Sequence, residues 1–157
     1  GMYLDAQAAI DHIVSRQMGS STQRLVFFGR SLGSAVAVEM ATIHPVNAVI
    51  LESPFTSIQD MAKQAYPFLP SRLLVLPFRS RFDSLSKIGR VNSPVMVIHG
   101  DIDNIVPHKV GRRLYHAANF PKRFYTVIGG GHSNTYDIGG AAYFEALKSF
   151  IDDPMNS

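Results

Sequence analysis

The chain has 157 residues, 46% hydrophobic and 17% charged, which is enough apolar material for the core of one domain and too much for an intrinsically disordered chain. It contains no Cys, which excludes a disulfide scaffold, a thiolate metal site and a cysteine nucleophile. Lys and Arg number 15 against 12 Asp and Glu, a net charge of only +3, and the densest basic stretch, Arg72 to Arg90, is full of apolar residues, so no nucleic-acid partner is expected.

Tyr3 to Met18 carries Leu4, Ala8, Ile10, Ile13, Val14 and Met18 at helical spacing and predicts an amphipathic helix stopped by Gly19. Leu25 to Phe28 is a short continuous apolar run ending at Gly29, the pattern of a strand buried on both faces. Leu32 to Ile43 predicts a helix ending before His44-Pro45, and Ala48 to Leu51 a second buried strand. The residues 53–93 hold Pro54, Pro67, Pro70 and Pro77 and are too long for an ordinary loop. They read as an inserted cap, partly helical from Ser57 to Tyr66. Val95 to Ile98 is a third strand, Lys109 to Ala118 a helix, and Phe124 to Ile128 a fourth strand. Gly129 to Gly131 is a turn, and Asp137 to Ile151 a closing helix with Ala142, Phe144, Leu147, Phe150 and Ile151 as its expected buried side. Strands alternating with helices predict an α/β fold with a parallel sheet of about four strands, helices on both faces and right-handed crossovers, in a single domain over 1–157. No run approaches the ~18–20 apolar residues of a membrane-spanning helix. The N-terminus lacks the basic-then-apolar pattern of a secretory signal, so a cytoplasmic location is expected.

Gly29-Arg30-Ser31-Leu32-Gly33 fits G-x-S-x-G between a predicted strand and a predicted helix. In that context the glycines relieve crowding at a sharp turn and the serine Oγ stands exposed at the top of the sheet. A serine hydroxyl needs a base, and there are six His. His12 and His116 sit on predicted helices and read as solvated; His44 reads as a helix C-terminal cap, His99 as a packed strand-end histidine, and His108 as a helix start. His132 alone follows the glycine run after the last strand, on a loop at the carboxyl end of the sheet, and is the expected base. The acid that orients it is Asp101 or Asp103, both just past the third strand, and either could instead be a turn carboxylate.

The segments Phe28 to Gly33, Leu51-Glu52-Ser53-Pro54-Phe55, Val97 to Asp101 with Asp103 and Pro107, and Gly130 to Asn134 occur in the order of an α/β-hydrolase. From about Arg24 to Ile151 the chain resembles the C-terminal part of that fold, closest to the BEM46-like branch of serine hydrolases. The resemblance implies a partial α/β-hydrolase with Ser31 as nucleophile, Asp103 as acid, His132 as base and the Leu32 backbone N–H as one oxyanion donor. It implies hydrolysis of an ester or thioester without metal or cofactor, on a small-molecule or lipid acyl ester.

The family's earlier strands and its His-Gly oxyanion loop have no counterpart upstream of Ser31, which leaves the alternative of a truncated, non-catalytic fragment that acts as an interaction module or has no independent function. Their lack predicts a feeble esterase. It also predicts an unpaired edge at Leu25 to Phe28 that drives homo-oligomerisation. In the cap, Tyr66, Phe68 and nearby apolar residues interleave with Arg72, Arg79 and Arg81. With Phe55 they are the expected substrate contacts, and contact of the cap with a membrane surface is a further expectation.

Overall fold

The computed structural model describes residues 1–16, 24–65 and 82–156. In chain order the elements are α1 (Met2–Arg16), β1 (Val26–Arg30), α2 (Leu32–Ala41), β2 (Ala48–Glu52), α3 (Ile58–Ala65), α4 (Ser84–Ile88), β3 (Val95–Gly100), α5 (His108–Ala117), β4 (Lys122–Val127) and α6 (Thr135–Asp152). The expected helix end at Gln17 and Met18, and the cap residues Tyr66 and Phe68, lie outside the described residues.

The four strands form one parallel sheet in the order β1-β2-β3-β4, the α/β architecture expected from the alternating pattern. Arg30 pairs with Glu52, Glu52 with Ile98, and Gly100 with Val127. The carboxyl ends of all four strands are thereby brought to one rim, where an open α/β sheet carries its ligands.

β2 and β3 are buried at every position, which is why they read as unbroken apolar runs. Strand alternation divides them between two cores. Val49, Leu51, Val95 and Val97 face Ala37, Val38, Ile88, Val91 and Leu114. Ala48, Ile50, Met96 and Ile98 face Tyr143 and Phe150 of α6. Helices therefore cover both faces, and the returning end of residues 53–93, with Ile88 and Val91, lies in the main core. Ser57 and Asp83 form an isolated antiparallel bridge, and Ile58, Met61 and Phe82 beside it pack against Ala35, Phe55 and Val106.

Three local expectations are corrected. In α6 the buried stripe is Tyr143, Ala146, Leu147, Phe150 and Ile151, at the i, i+3, i+4, i+7, i+8 spacing of one helix face. Phe144 is 58% exposed because it lies one position, about 100°, off that stripe, and Ala142 is exposed too. A break at Gly140, with φ 50°, separates the stripe from the helix's first turn. β4 begins at Lys122, two residues before the apolar run, and the buried Lys122 ammonium donates to the last carbonyls of α5, at 3.1 Å to His116 and 2.7 Å to Ala118. His44 caps no helix with its ring; its Nε2–H donates to Gln7 Oε1 at 2.7 Å and ties α2 to α1.

β1 lies at the edge of the sheet. Phe28 is 51% exposed there. Beside it an open groove of about 520 Å³ runs between α1, β1 and α2, with Ala9, Ile13, Phe27, Val36 and Met40 among its walls.

Candidate active site

Ser31 sits between the last residue of β1 and the first of α2, with φ 48° and ψ −117°. A non-glycine residue in that region is strained, and its turn is held by the Ser31 N–H, which donates to the Glu52 carbonyl at 2.9 Å. The tight approach is permitted by Gly29, where a Cβ would stand 2.4 Å from the Gly33 carbonyl oxygen; a Cβ at Gly33 would meet nothing. The crowding that the motif relieves is thus at its first glycine. Leu32 opens α2, so its N–H is one of the four that a helix start leaves without an intrahelical acceptor.

β3 ends at Gly100, where a Cβ would lie 2.1 Å from the Gly130 carbonyl oxygen. That contact brings the Gly129–Asn134 loop against the β3 end. The loop is fastened by Gly129 N–H to Asp101 Oδ1 and Gly131 N–H to Asn134 Oδ1, both at 2.7 Å. His132 then lies over the elbow, its Nε2 3.0 Å from Ser31 Oγ and its Nδ1 2.8 Å from Asp103 Oδ2. A carboxylate only accepts, so Nδ1 carries the proton and Nε2 is left to accept from the serine hydroxyl. Of the two candidate acids, Asp103 meets the imidazole, while Asp101 acts as the anchor of the loop.

Asp103 is 5% exposed. Burial works against its charge, but the Val106 N–H at 2.8 Å, the His132 ring and the Ile105 N–H at 2.9 Å outweigh it and hold the carboxyl below its ordinary range. His99 is fully buried beneath it, with Nε2–H donated to the Val106 carbonyl at 2.7 Å and Nδ1 pressed toward Gly111 without a partner. Burial disfavours its charged form and lowers its pKa despite the Val106 carbonyl and the nearby Asp103. His108 opens α5, as read from the sequence, and its Nε2 lies 3.0 Å from Thr126 Oγ1.

The lowered His99 pKa has a consequence for stability. Neutral in the fold and free to protonate when unfolded, His99 makes the unfolded state bind the extra proton below the ordinary histidine value, about 6.5. Stability is expected to fall as pH drops through that value, by up to about 1.4 kcal/mol per pH unit for this group. Thermal melts between pH 7.5 and pH 5 check it: His99→Gln, with no titrating ring, flattens the slope, and an unchanged slope contradicts it.

Phe55 is buried with Ala35 and Val106 behind the elbow. Among the described residues, no group of three or more His, Asp and Glu is arranged to hold a metal ion, and no helix is long and apolar enough to cross a membrane.

Arg30, Glu52, Thr135 and Tyr143 make hydrogen bonds around the site that residue type alone does not point to. Arg30 Nη2 donates to the His132 carbonyl at 3.0 Å. Glu52 is 2% exposed and accepts hydrogen bonds from Thr135 and Tyr143. Burial, then the Glu52 charge and hydrogen bond, push the Tyr143 hydroxyl pKa well up, so it stays a donor. The signal for Glu52 was present in the sequence: a carboxylate that closes a run buried on both faces needs a partner.

An uncharacterized protein of Mycobacterium tuberculosis is 39% identical over 153 residues, which are 98% of this chain and 53% of that protein. The alpha/beta hydrolase domain-containing protein WAV2 of Arabidopsis thaliana is 36% identical over 97% of this chain and 54% of its own length. The human alpha/beta hydrolase domain-containing protein 17B is 29% identical over 98% of this chain and 50% of its own. The chain spans about half the length of the curated relatives it matches. No family model matches it. Among solved structures, the esterase domain of a Rhodothermus marinus protein superposes with a TM-score of 0.69 over 94% of this chain and 66% of that one, at 22% identity. The alpha/beta hydrolase GrgF from Penicillium sp. sh18 superposes with a TM-score of 0.72 over 100% of this chain and 73% of its own, at 12% identity. The four-stranded parallel sheet with flanking helices is thus a partial α/β-hydrolase fold, and the chain is similar to proteins named as alpha/beta hydrolase domain-containing.

Proposed function

We propose that the chain carries a serine hydrolase site that cleaves an ester or thioester by acyl transfer to water. The observation that supports it best is the hydrogen-bonded line from Ser31 Oγ through His132 to Asp103, built at a strand-to-helix turn. His132 Nε2 takes the hydroxyl proton as Ser31 Oγ attacks the carbonyl carbon. Asp103 keeps the tautomer and offsets the charge on the imidazolium. The developing oxyanion lies toward the Leu32 N–H at the positive end of α2. The proton on Nε2 passes to the leaving alcohol or thiol, leaving an acyl-serine. Water, deprotonated by the same nitrogen, then releases the acid and restores Ser31. None of these steps calls for a metal or cofactor. Turnover of a short p-nitrophenyl ester and of an acyl thioester by the purified chain tests the reading, and no turnover of either, with the fold intact, argues against it.

The substrate class that suits an acyl-transfer site is a small-molecule or lipid acyl ester. In this reading Tyr66 and Phe68, which lie outside the described residues, are substrate contacts together with Phe55, and contact with an anionic membrane surface is proposed with them.

The edge position of β1 and the apolar groove beside it favour self-association. Among the described residues β1 is an edge strand with an exposed Phe28 next to apolar surface, the kind of edge that recruits another chain. The partner in this reading is a second copy of the chain. Sedimentation equilibrium is expected to give a dimer or larger species that Phe28→Lys weakens, and a monomer at all concentrations contradicts it.

A further inference from the structure

Glu52 is a buried carboxylate that the proton-transfer line does not use, and its surroundings give it a specific task. It closes β2, and its main-chain oxygen takes the Ser31 N–H at 2.9 Å, fixing the elbow. Its side chain turns to the face covered by α6. There Oε1 takes the hydroxyl of Thr135, three residues after His132, and Oε2 takes the hydroxyl of Tyr143 at 3.2 Å. These two donors stand on either side of the break at Gly140, so one carboxylate fastens both parts of α6. Arg30, the register partner of Glu52, holds the other side of the loop by donating to the His132 carbonyl at 3.0 Å.

A buried carboxylate is retained at a cost unless its oxygens are used as acceptors. Here both are used, and each donor belongs to the helix that carries the His132 loop. We propose that Glu52 is a positioning residue that sets the His132 loop against the Ser31 elbow, acting through Thr135. The proposal rests on the reading of Ser31 as nucleophile and His132 as base. It follows from geometry, because a displacement of about 1 Å between reacting groups costs on the order of 10²-fold in rate.

The test uses two readouts on the whole chain: the rate of Ser31 phosphonylation by a fluorophosphonate, and the downfield proton resonance of the His132 Nδ1–H held by Asp103, assigned by its loss in Asp103→Asn. Glu52→Ala and Thr135→Val are each expected to slow labelling by about 10- to 100-fold and to broaden the resonance. Glu52→Gln keeps an acceptor for Thr135 and is expected to rescue both. In the Glu52→Ala background, Thr135→Val adds no further loss, because the two act through one bond. If Glu52→Ala does not fold, Thr135→Val and Glu52→Gln carry the test. Wild-type labelling and an unmoved resonance in Thr135→Val would overturn the proposal, and so would failure of Glu52→Gln to rescue. No labelling of the wild type strikes at the nucleophile reading instead, and the resonance then still decides whether Glu52 places His132.

Discussion

Ser31→Ala is expected to lower ester turnover by about 10⁴–10⁶-fold while leaving the melting temperature within a few degrees of the parent. Removing Oγ removes the only atom that bonds to the acyl carbon, and the rest of the line then has nothing to act on. The fold is spared because the turn is held by the Ser31 main chain and by the close approach at Gly29, neither of which involves the hydroxyl. Initial rates on a p-nitrophenyl ester and a thermal melt of the same preparation check both halves. Turnover at the parent rate assigns the chemistry to another group.

Asp103→Asn is expected to cost up to about 10⁴-fold in turnover, and Asp101→Asn no more than a few-fold. The difference lies in what each oxygen accepts. Asp103 Oδ1 takes the N–H groups of Ile105 and Val106, so an Asn there keeps its carbonyl on that side and turns its NH₂ toward His132. Two donors then face each other, the imidazole changes tautomer, and Nε2 can no longer accept the Ser31 proton. Asp101 Oδ1 takes the Gly129 N–H, a bond that the carbonyl of Asn makes equally well. Parallel kcat measurements on the two variants decide it, and the reverse ranking moves the acid role to Asp101.

Much of this arrangement is legible before any coordinates. Val95 to Ile98 and Ala48 to Leu51 are apolar at every position because both faces of their strands are covered, and a run of that kind announces itself. Ser31 and His132 are readable because each sits where a strand ends, and strand ends in a parallel sheet meet at one rim. The choice between Asp101 and Asp103 is not readable from residue type, since both follow β3 within three residues and both suit a turn. It depends on which carboxylate is turned back by the Ile105 and Val106 N–H groups, a matter of backbone path.

On the buried side of α6, Leu147, Phe150 and Ile151 stand as expected and only Ala142 and Phe144 do not, for a related reason. Gly140 breaks the helix after its first turn, and the stripe has to be counted back from Phe150, which lands on Tyr143 and leaves Phe144 outside. Lys122 was missed at the start of β4 because its charge argues for solvent, whereas the carbonyls at the end of α5 supply the partners that allow its burial. Glu52 is a mixed case: a carboxylate closing a buried run announces that it needs partners, but those partners are hydroxyls 83 and 91 residues away in the chain, which no local pattern names.

The central claim is that Ser31 is the nucleophile, and covalent capture tests it most directly. The chain is incubated with a fluorophosphonate, its intact mass is measured, and the modified peptide is sequenced. The account predicts one adduct per chain, on Ser31, formed rapidly by the parent, slowly by His132→Ala and not at all by Ser31→Ala. An adduct on another residue, or a parent left unmodified while its fold is intact, would contradict it.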